Sequence, residues 1–391
     1  MRRFSSLVSV FLLAWFAAAP CQAPSPPAQT RAPLRVAIVG LVHGHVEGFL
    51  QQSLHSPEIE IVGVVEPNGQ LGSKYAEQYG FDHRLLFSDL EEMLNQTHPQ
   101  AALVYTNTYD HRRVVEICAG HGVHVMMEKP LAVSFEEALA IEKAAHNGKI
   151  QVLVNYETTW YGSNRAAYDL VHENALGEIR KVVVHDGHSG PKEIHVAPEF
   201  LAWLTDLKLD GGGALFDFGC YGADLMTWLM DGARPHTVTA VTQQIKPDTY
   251  PRVDDEATII LTYPKAQAII QASWNWRFDR KDMEVYGQKG YVITVRRDDI
   301  RVRRGGDGNQ QESREEQVAA KPLPAPYNNS LSYLRAVVVN GMKPEGPSSL
   351  DTNLIVTEIL DAARRSAASG KTIRLPASRG TLRSLSAAPA H

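Results

Sequence analysis

Two short segments of this chain place residues that could together move a proton. Glu128-Lys129-Pro130 follows the apolar run Val123–Met127, which reads as a buried strand, so Lys129 stands at a strand's C-terminal mouth. In open α/β sheets that edge is where ligands bind. An ammonium there is costly unless an anionic or reactive group shares the crevice. Further on, Gly211-Gly212-Gly213 precedes Asp217 and Tyr221, which lie one turn apart on one face of a predicted helix (about Asp217–Met230), behind glycines that allow close backbone approach. Alcohol oxidation needs a base for the hydroxyl proton, and carbonyl reduction needs the matching acid. A free phenol titrates near pH 10, and a neighbouring ammonium lowers that value. The residue types therefore suggest Tyr221 as proton carrier, Lys129 as its electrostatic tuner and Asp217 as the group that orients substrate hydroxyls. The plainer alternative makes Tyr221 a packing residue and Asp217 a helix N-cap.

The elements that must position these residues alternate through the first part of the chain. Apolar β runs at Leu34–Val39, Ile59–Val65, Ala101–Tyr105, Val123–Met127 and Ile150–Val154 are separated by helical patterns at Val46–Leu54, Gly69–Tyr79, Asp89–Leu94, Arg112–His121 and Phe135–His146. Strict alternation with short loops predicts a doubly wound, parallel, Rossmann-type sheet over 34–155. Ser134 and Glu137 have capping-box spacing. Beyond Asn155 a helix (about Asn164–Glu173) and a strand (Ile179–His185) lead into a long loop rich in His, Gly and Pro. Period-two runs follow the Asp217 helix at Thr237–Thr242, Ala257–Tyr263, Ala266–Ser273, Met283–Gly287 and Tyr291–Arg296. These predict an α+β domain over 156–375 with a large, mainly antiparallel sheet. Gly305–Pro326 reads as a polar surface excursion, and two helices (Ser330–Asn340 and Thr352–Ala368) close the domain, the second stopped by Gly370.

The first strand-to-helix turn is the expected dinucleotide site. Gly40, Val42, His43, Gly44 and His45 occupy it, with Val42 at the second glycine position of the usual fingerprint and His45 at the third. The second strand ends in Glu66, whose carboxylate suits the adenosine ribose hydroxyls and would repel a 2′-phosphate; Pro67 and Asn68 add no cation. This favours NAD over NADP. Thr106, Asn107 and His111 follow the fourth strand and either line the cofactor or cap the next helix. Glu128 and Lys129 close the same crevice. His185-Asp186-Gly187-His188 offers metal-ligand types, but no further ligand spacing accompanies it, so no metal is assigned. Trp160, Tyr161, Trp203, Trp274 and Trp276 could include a sugar-stacking platform, although aromatics in such places are more often core.

A net charge of −5 without a Lys/Arg block argues against a nucleic-acid partner. Met1-Arg2-Arg3, the apolar stretch Leu7–Ala19 and small residues to Ala23 read as a signal peptide (1–23) followed by a Pro-rich linker (24–33), which predicts an exported protein, periplasmic or extracellular. No later segment is apolar enough to span a membrane, and 376–391 reads as a flexible tail. Cys118 and Cys220 are expected to stay reduced.

With these residues in view, the chain resembles the glucose–fructose oxidoreductase/inositol dehydrogenase (Gfo/Idh/MocA) family. The resemblance rests on Glu128-Lys129-Pro130 and on Gly211-Gly212-Gly213 with Asp217 and Tyr221; it extends to the Val253–Trp274 hairpin and the Tyr286-Gly287 and Gly290 segment. It implies an N-terminal nicotinamide-binding domain, a C-terminal sheet that carries a sugar-like substrate and often joins subunits into a homo-oligomer, and hydride transfer to or from an alcohol carbon. Lys129 matches the motif lysine, Asp217 the aspartate, and Tyr221 a position more often held by histidine. Relatives often have an arginine where this chain has Asn155-Tyr156-Glu157. Outside the cytoplasm the NAD would have to be held tightly. Two alternatives share the same residues: an NAD-dependent glycoside hydrolase working by transient oxidation and elimination, and a non-catalytic sugar sensor.

Overall fold

The computed structural model describes residues 32–305 and 313–376. The expected signal peptide and nearly all of the Pro-rich linker and of the C-terminal tail lie outside the described residues.

Strand β1 (Leu34–Val39) is buried on both faces, as an apolar run in a parallel sheet should be. It is followed by α1 (His45–Ser53), β2 (Ile59–Val65), α2 (Gly69–Tyr79), the two-residue β3 (Leu86–Phe87), α3 (Leu90–Thr97), β4 (Ala101–Val104), α4 (His111–Gly120), β5 (His124–Glu128), α5 (Phe135–Gly148) and β6 (Val152–Asn155). The strands pair in parallel in the order β3-β2-β1-β4-β5-β6. Strand order reverses between β1 and β4, which opens the ligand crevice of a doubly wound fold at the end of β1. Alternate residues of each strand face opposite layers. Val36 and Ile38 pack with Leu50 of α1 and Tyr75 of α2; Ala37 and Val39 pack with Met93 of α3, Val115 of α4 and Ile141 of α5. Local signals set the helix ends. The Asn68 side chain accepts from Gln70 N and Leu71 N to start α2, and Gly80 ends it in the left-handed region at φ 75°. Only half of the expected capping box forms: Ser134 accepts from Glu137 N, but the Glu137 carboxylate turns to Arg112.

The second region opens with α6 (Gly162–His172) and β7 (Ile179–Gly187). The loop expected next contains two short helices, α7 (Pro198–Leu204) and α8 (Leu207–Asp210). The single helix expected from Asp217 is instead two, α9 (Ala214–Asp217) and α10 (Gly219–Leu229), which meet at Phe218. Strands β8 (Thr237–Gln243), β9 (Glu256–Thr262), β10 (Gln267–Ser273), β11 (Arg280–Gly287), β12 (Gly290–Arg296), β13 (Asp299–Arg304) and β14 (Glu316–Ala319) precede α11 (Ser330–Asn340), α12 (Leu350–Ser369) and β15 (Ile373–Arg374). They form a nine-stranded sheet in the order β14-β13-β12-β11-β7-β10-β9-β8-β15, antiparallel except between β7 and β10. The excursion expected over Gly305–Pro326 thus includes an edge strand, β14, every residue of which is exposed. One face of the sheet, through Val182, Val184, Met283 and Val285, packs in the same core as α10 and α12. Helix α10 is buried nearly all round, as its largely apolar sequence requires. No helix among the described residues is long and apolar enough to cross a membrane.

Candidate active site

The turn after β1 is built by a glycine in the left-handed region. Gly40 has φ +83°, and a Cβ there would lie 2.7 Å from Thr106 Cγ2 and 2.9 Å from Thr106 N, so only glycine lets the β1 and β4 turns close on each other. Glu66, at the end of β2, accepts hydrogen bonds from Leu41 N and Asn68 N, both 2.9 Å. Burial raises its carboxyl above the usual range, against the pull of those two amides. Each oxygen keeps a lone pair for a ribose hydroxyl.

The two departures from the glycine fingerprint have different physical reasons. Val42 presents its carbonyl to Trp203 Nε1 (3.1 Å), so α7 is fastened onto the turn. His45 swings its Nδ1 to within 2.8 Å of Glu128 Oε2, and Glu128 Oε1 accepts from Asn155 Nδ2 at 2.9 Å. Burial alone would raise the Glu128 carboxyl; the charge and hydrogen bond of His45, with His43 and Asn155, bring it instead to about 2. His43 is not on the crevice surface. It is 1 % exposed, its ring lies 4.8 Å from Phe200 and 5.5 Å from Trp203, and burial drives its pKa well down. His43, His45 and Glu128 do offer ligand atoms within 4.8 Å of one another, as do His185, Asp282 and Glu284.

Of the residues after β4, Asn107 caps the following turn: it accepts from Asp110 N and donates to Asp110 Oδ2 (2.7 Å). Thr106 donates to the Asn107 carbonyl. The expectation that His111 lines the cofactor is corrected. It is 1 % exposed and bonded to the Leu131 carbonyl, and burial lowers it to about 4, which makes it a neutral core histidine.

Lys129, Asp217 and Tyr221 converge. Lys129 Nζ lies 2.5 Å from Asp217 Oδ1 and 3.1 Å from the Asp217 carbonyl, and 5.2 Å from the centre of the Tyr221 ring. The glycine run permits this because α9 abuts the approach to β9: a Cβ on Gly213 would sit 1.9 Å from the Asp254 carbonyl oxygen. Two expectations are revised. Asp217 does not face substrate with a free carboxylate, since its other oxygen accepts from Trp274 Nε1 at 2.9 Å. Burial would raise Asp217, but the Lys129 charge and hydrogen bond, aided by His188 and Trp274, hold it at about 2. The ammonium of Lys129 is likewise held above its ordinary range by Asp217, although burial works the other way. Because Asp217 neutralises Lys129, the phenol is not lowered. Burial raises Tyr221 well above its ordinary value, and Cys220, Glu157, Glu128 and Asp217 push in the same direction.

A cleft of about 530 Å³ joins these groups; it runs from Lys74 and Gln78 on α2 past His45 to Lys129, Tyr221, His188 and Lys281. That size suits a small ligand. His188 belongs to the His185–His188 segment whose residue types the sequence had already marked, whereas Lys281 lay outside sequence reasoning. Lys281 carried one usable signal: it shares the inward register of Met283 and Val285, where a cation is out of place. The aromatics expected as stacking candidates are mostly structural, with Trp274 fully buried on Asp217 and Trp160 donating to Asn155. A larger cavity, about 670 Å³ and walled by Trp160, Tyr168, Trp228, Tyr327 and Tyr333, includes none of the three converging residues.

Comparison with protein-family models matches residues 34–156 to the oxidoreductase family, NAD-binding Rossmann fold, and residues 164–293 to the GFO/IDH/MocA C-terminal domain. The chain belongs to the Gfo/Idh/MocA oxidoreductase family. Among characterised proteins it is similar to trans-1,2-dihydrobenzene-1,2-diol dehydrogenase of Macaca fuscata fuscata, 24% identical over 226 residues, which is 58% of this chain and 63% of that enzyme. The aligned stretch is therefore just under two thirds of that relative. In fold it matches aldose-aldose oxidoreductase from Caulobacter crescentus complexed with glycerol, at a TM-score of 0.73 and 24% identity over 88% of this chain and all of that one. It also matches levoglucosan dehydrogenase in complex with NADH and levoglucosan, at a TM-score of 0.71 and 21% identity, over 88% of this chain and 100% of that one. As a Gfo/Idh/MocA member the chain has an NAD-binding Rossmann domain, and its residues fit the dinucleotide. The Gly40 turn leaves no room for a side chain, Glu66 is fixed beside it, and the crevice opens at the strand-order reversal.

Proposed function

We propose that this Gfo/Idh/MocA member is an exported oxidoreductase that uses tightly held NAD to move hydride to or from an alcohol carbon of a sugar, cyclitol or related polyol. The observation that carries the reading is the pairing of a buried phenol, Tyr221, with an ammonium fixed by Asp217 at the mouth of β5, inside one ligand-sized cleft. Gly40, Val42, Gly44, His45, Glu66 and Glu128 would hold the dinucleotide, which when bound supplies the hydride acceptor or donor. Lys129 has three N–H donors and Asp217 takes two of them, leaving one for the reacting oxygen of the substrate. That contact keeps the oxygen beside Tyr221, which takes or returns its proton. Asp217 acts through Lys129 as a positioning residue. The names of the relatives, a dihydrodiol dehydrogenase and an aldose oxidoreductase, support the polyol class. Export through residues 1–23 and assembly through the open face of the large sheet belong to the same proposal.

The test is a panel of aldoses and cyclitols followed by nicotinamide absorbance, with protein taken from the envelope fraction and its N-terminus sequenced. Turnover on a polyol, bound dinucleotide after purification and a mature start near residue 24 are expected. Tyr221→Phe is expected to lower kcat by about 10²–10⁴-fold while NADH binding persists. Absence of dinucleotide binding, or full activity in Tyr221→Phe, refutes the reading.

A further inference from the structure

The Tyr221 ring has two ammonium groups over it. Lys129 approaches to 5.2 Å of the ring centre and Lys281 to 5.0 Å. Lys281 comes from the other sheet. It pairs in register with Asp186 across β11 and β7, so both side chains leave the sheet on the face that packs against α10. It forms an ion pair with Glu157, and Glu157 also accepts from Tyr161 Oη at 2.6 Å.

The two lysines differ in how completely their charge is cancelled. The Lys129–Asp217 pair is buried on both sides, 6% and 7% exposed, and at 2.5 Å the carboxylate offsets the ammonium directly. In the second pair the ammonium is 25% exposed and its carboxylate 43%, so water screens the negative end more. Tyr221 is faced by Lys129 and Glu128 from β5, Asp217 from α9, Cys220 on α10 itself, Tyr156 and Glu157 after β6 and Lys281 from β11; Asp186 of β7 and Asp224 of α10 act on the adjoining Cys220, and His188 after β7 shares the cleft. Lys281 is thus the second cation over the ring, and its counter-charge is the more solvent-exposed of the two carboxylates.

We propose that Lys281, clamped by Glu157, is a positioning residue that sets the pH at which Tyr221 exchanges its proton. The proposal rests on Tyr221 being the acid/base. It predicts shifts of opposite sign from the two members of one ion pair. Lys281→Met removes the cation and moves the Tyr221 limb of the kcat–pH profile up by about 1 unit, with kcat near neutral pH falling roughly 10-fold. Glu157→Gln leaves the cation uncompensated and moves that limb down. Lys281→Arg restores the wild-type limb to within a few tenths of a unit.

The measurement is the pH profile of kcat and of kcat/KM for the full chain on its best polyol, with NADH binding as a check on folding and Tyr221→Phe run in parallel. Opposite limb shifts with KM nearly constant support the assignment. Two outcomes overturn it while leaving the proposed function intact: an unmoved limb in Lys281→Met with a raised KM, or limbs that move the same way in both variants. Full activity in Tyr221→Phe overturns both.

Discussion

Asp217→Asn should expose how much of this molecule's stability is tied to one buried charge. The Lys129 and Asp217 side chains are 6% and 7% exposed and 2.5 Å apart, so the substitution leaves an ammonium buried without its counter-charge. Removing one partner of such a pair costs about 3–5 kcal/mol. At an unfolding entropy of about 2.1 cal/mol/K per residue, that loss lowers Tm by roughly 4–6 °C for a chain of 391 residues. The pH dependence has a definite sign. The Asp217 carboxyl is held at about 2, below its unfolded value, so its contribution is complete above the unfolded pKa and disappears as pH falls through the folded one. The gap between wild type and variant is therefore full from pH 5 to 8, narrows below about pH 4 and is lost near pH 2. Denaturant titrations of dinucleotide-free protein across that range measure it, since bound cofactor would mask the loss. Lys129→Met combined with Asp217→Asn should recover much of the deficit. A gap under about 0.5 kcal/mol at pH 7, a gap as large at pH 3, or strictly additive losses in the double variant would each refute the argument.

Other outcomes follow from particular contacts. Trp274→Phe removes the N–H held by Asp217 Oδ2 at 2.9 Å and should cost about 2 kcal/mol, with a smaller loss of kcat than Asp217→Asn in the same assays. Gly40→Ala puts a Cβ 2.7 Å from Thr106 Cγ2 at a φ of +83°; NADH fluorescence titration should show affinity reduced by about 10-fold or more, with about 1–3 kcal/mol of strain. Asp224 is fully buried, neither carboxylate oxygen has a hydrogen-bond partner, and burial raises its pKa well above the ordinary value. A raised carboxyl penalises folding by about 1.4 kcal/mol for each pH unit over which only the unfolded chain has lost the proton. Asp224→Asn should therefore gain stability over wild type as pH rises from 4 toward neutrality; a pH-independent difference in denaturant titrations would contradict this.

The fold was legible where one layer of structure dictates the pattern. Strands buried on both faces are apolar throughout, as in Leu34–Val39, and helices with an Asn68 start and a Gly80 stop carry their own boundaries. Strands supported mainly by their neighbours were not legible. Asp299–Arg304 shows only Ile300 and Val302 among charges, and Glu316–Ala319 has no buried residue at all. The convergence of Lys129, Asp217 and Tyr221 could be anticipated from their places at element ends. Their charge state could not, because it depends on Trp274 and on which atom of Asp217 meets Lys129, contacts between segments far apart in the chain. His43 and His111 looked like crevice residues for the same reason: only α7 and the segment after β5 reveal that they are covered.

Helix α12 packs against α5 and β6 of the parallel sheet and against β8 of the antiparallel one, and its Arg364 donates to the carbonyls of Val133 and Gly211. Helix α11 covers the opposite layer of the parallel sheet through Leu331 and Leu334. Both helices are made long after β6, since α11 begins only at Ser330. Until they arrive, the N-terminal third of the chain has apolar surface with nothing to lie against, so cutting or swapping the molecule after Asn155 should yield an aggregating fragment rather than a free nucleotide-binding module. The parallel sheet is thus completed by helices that the chain supplies only after the antiparallel one.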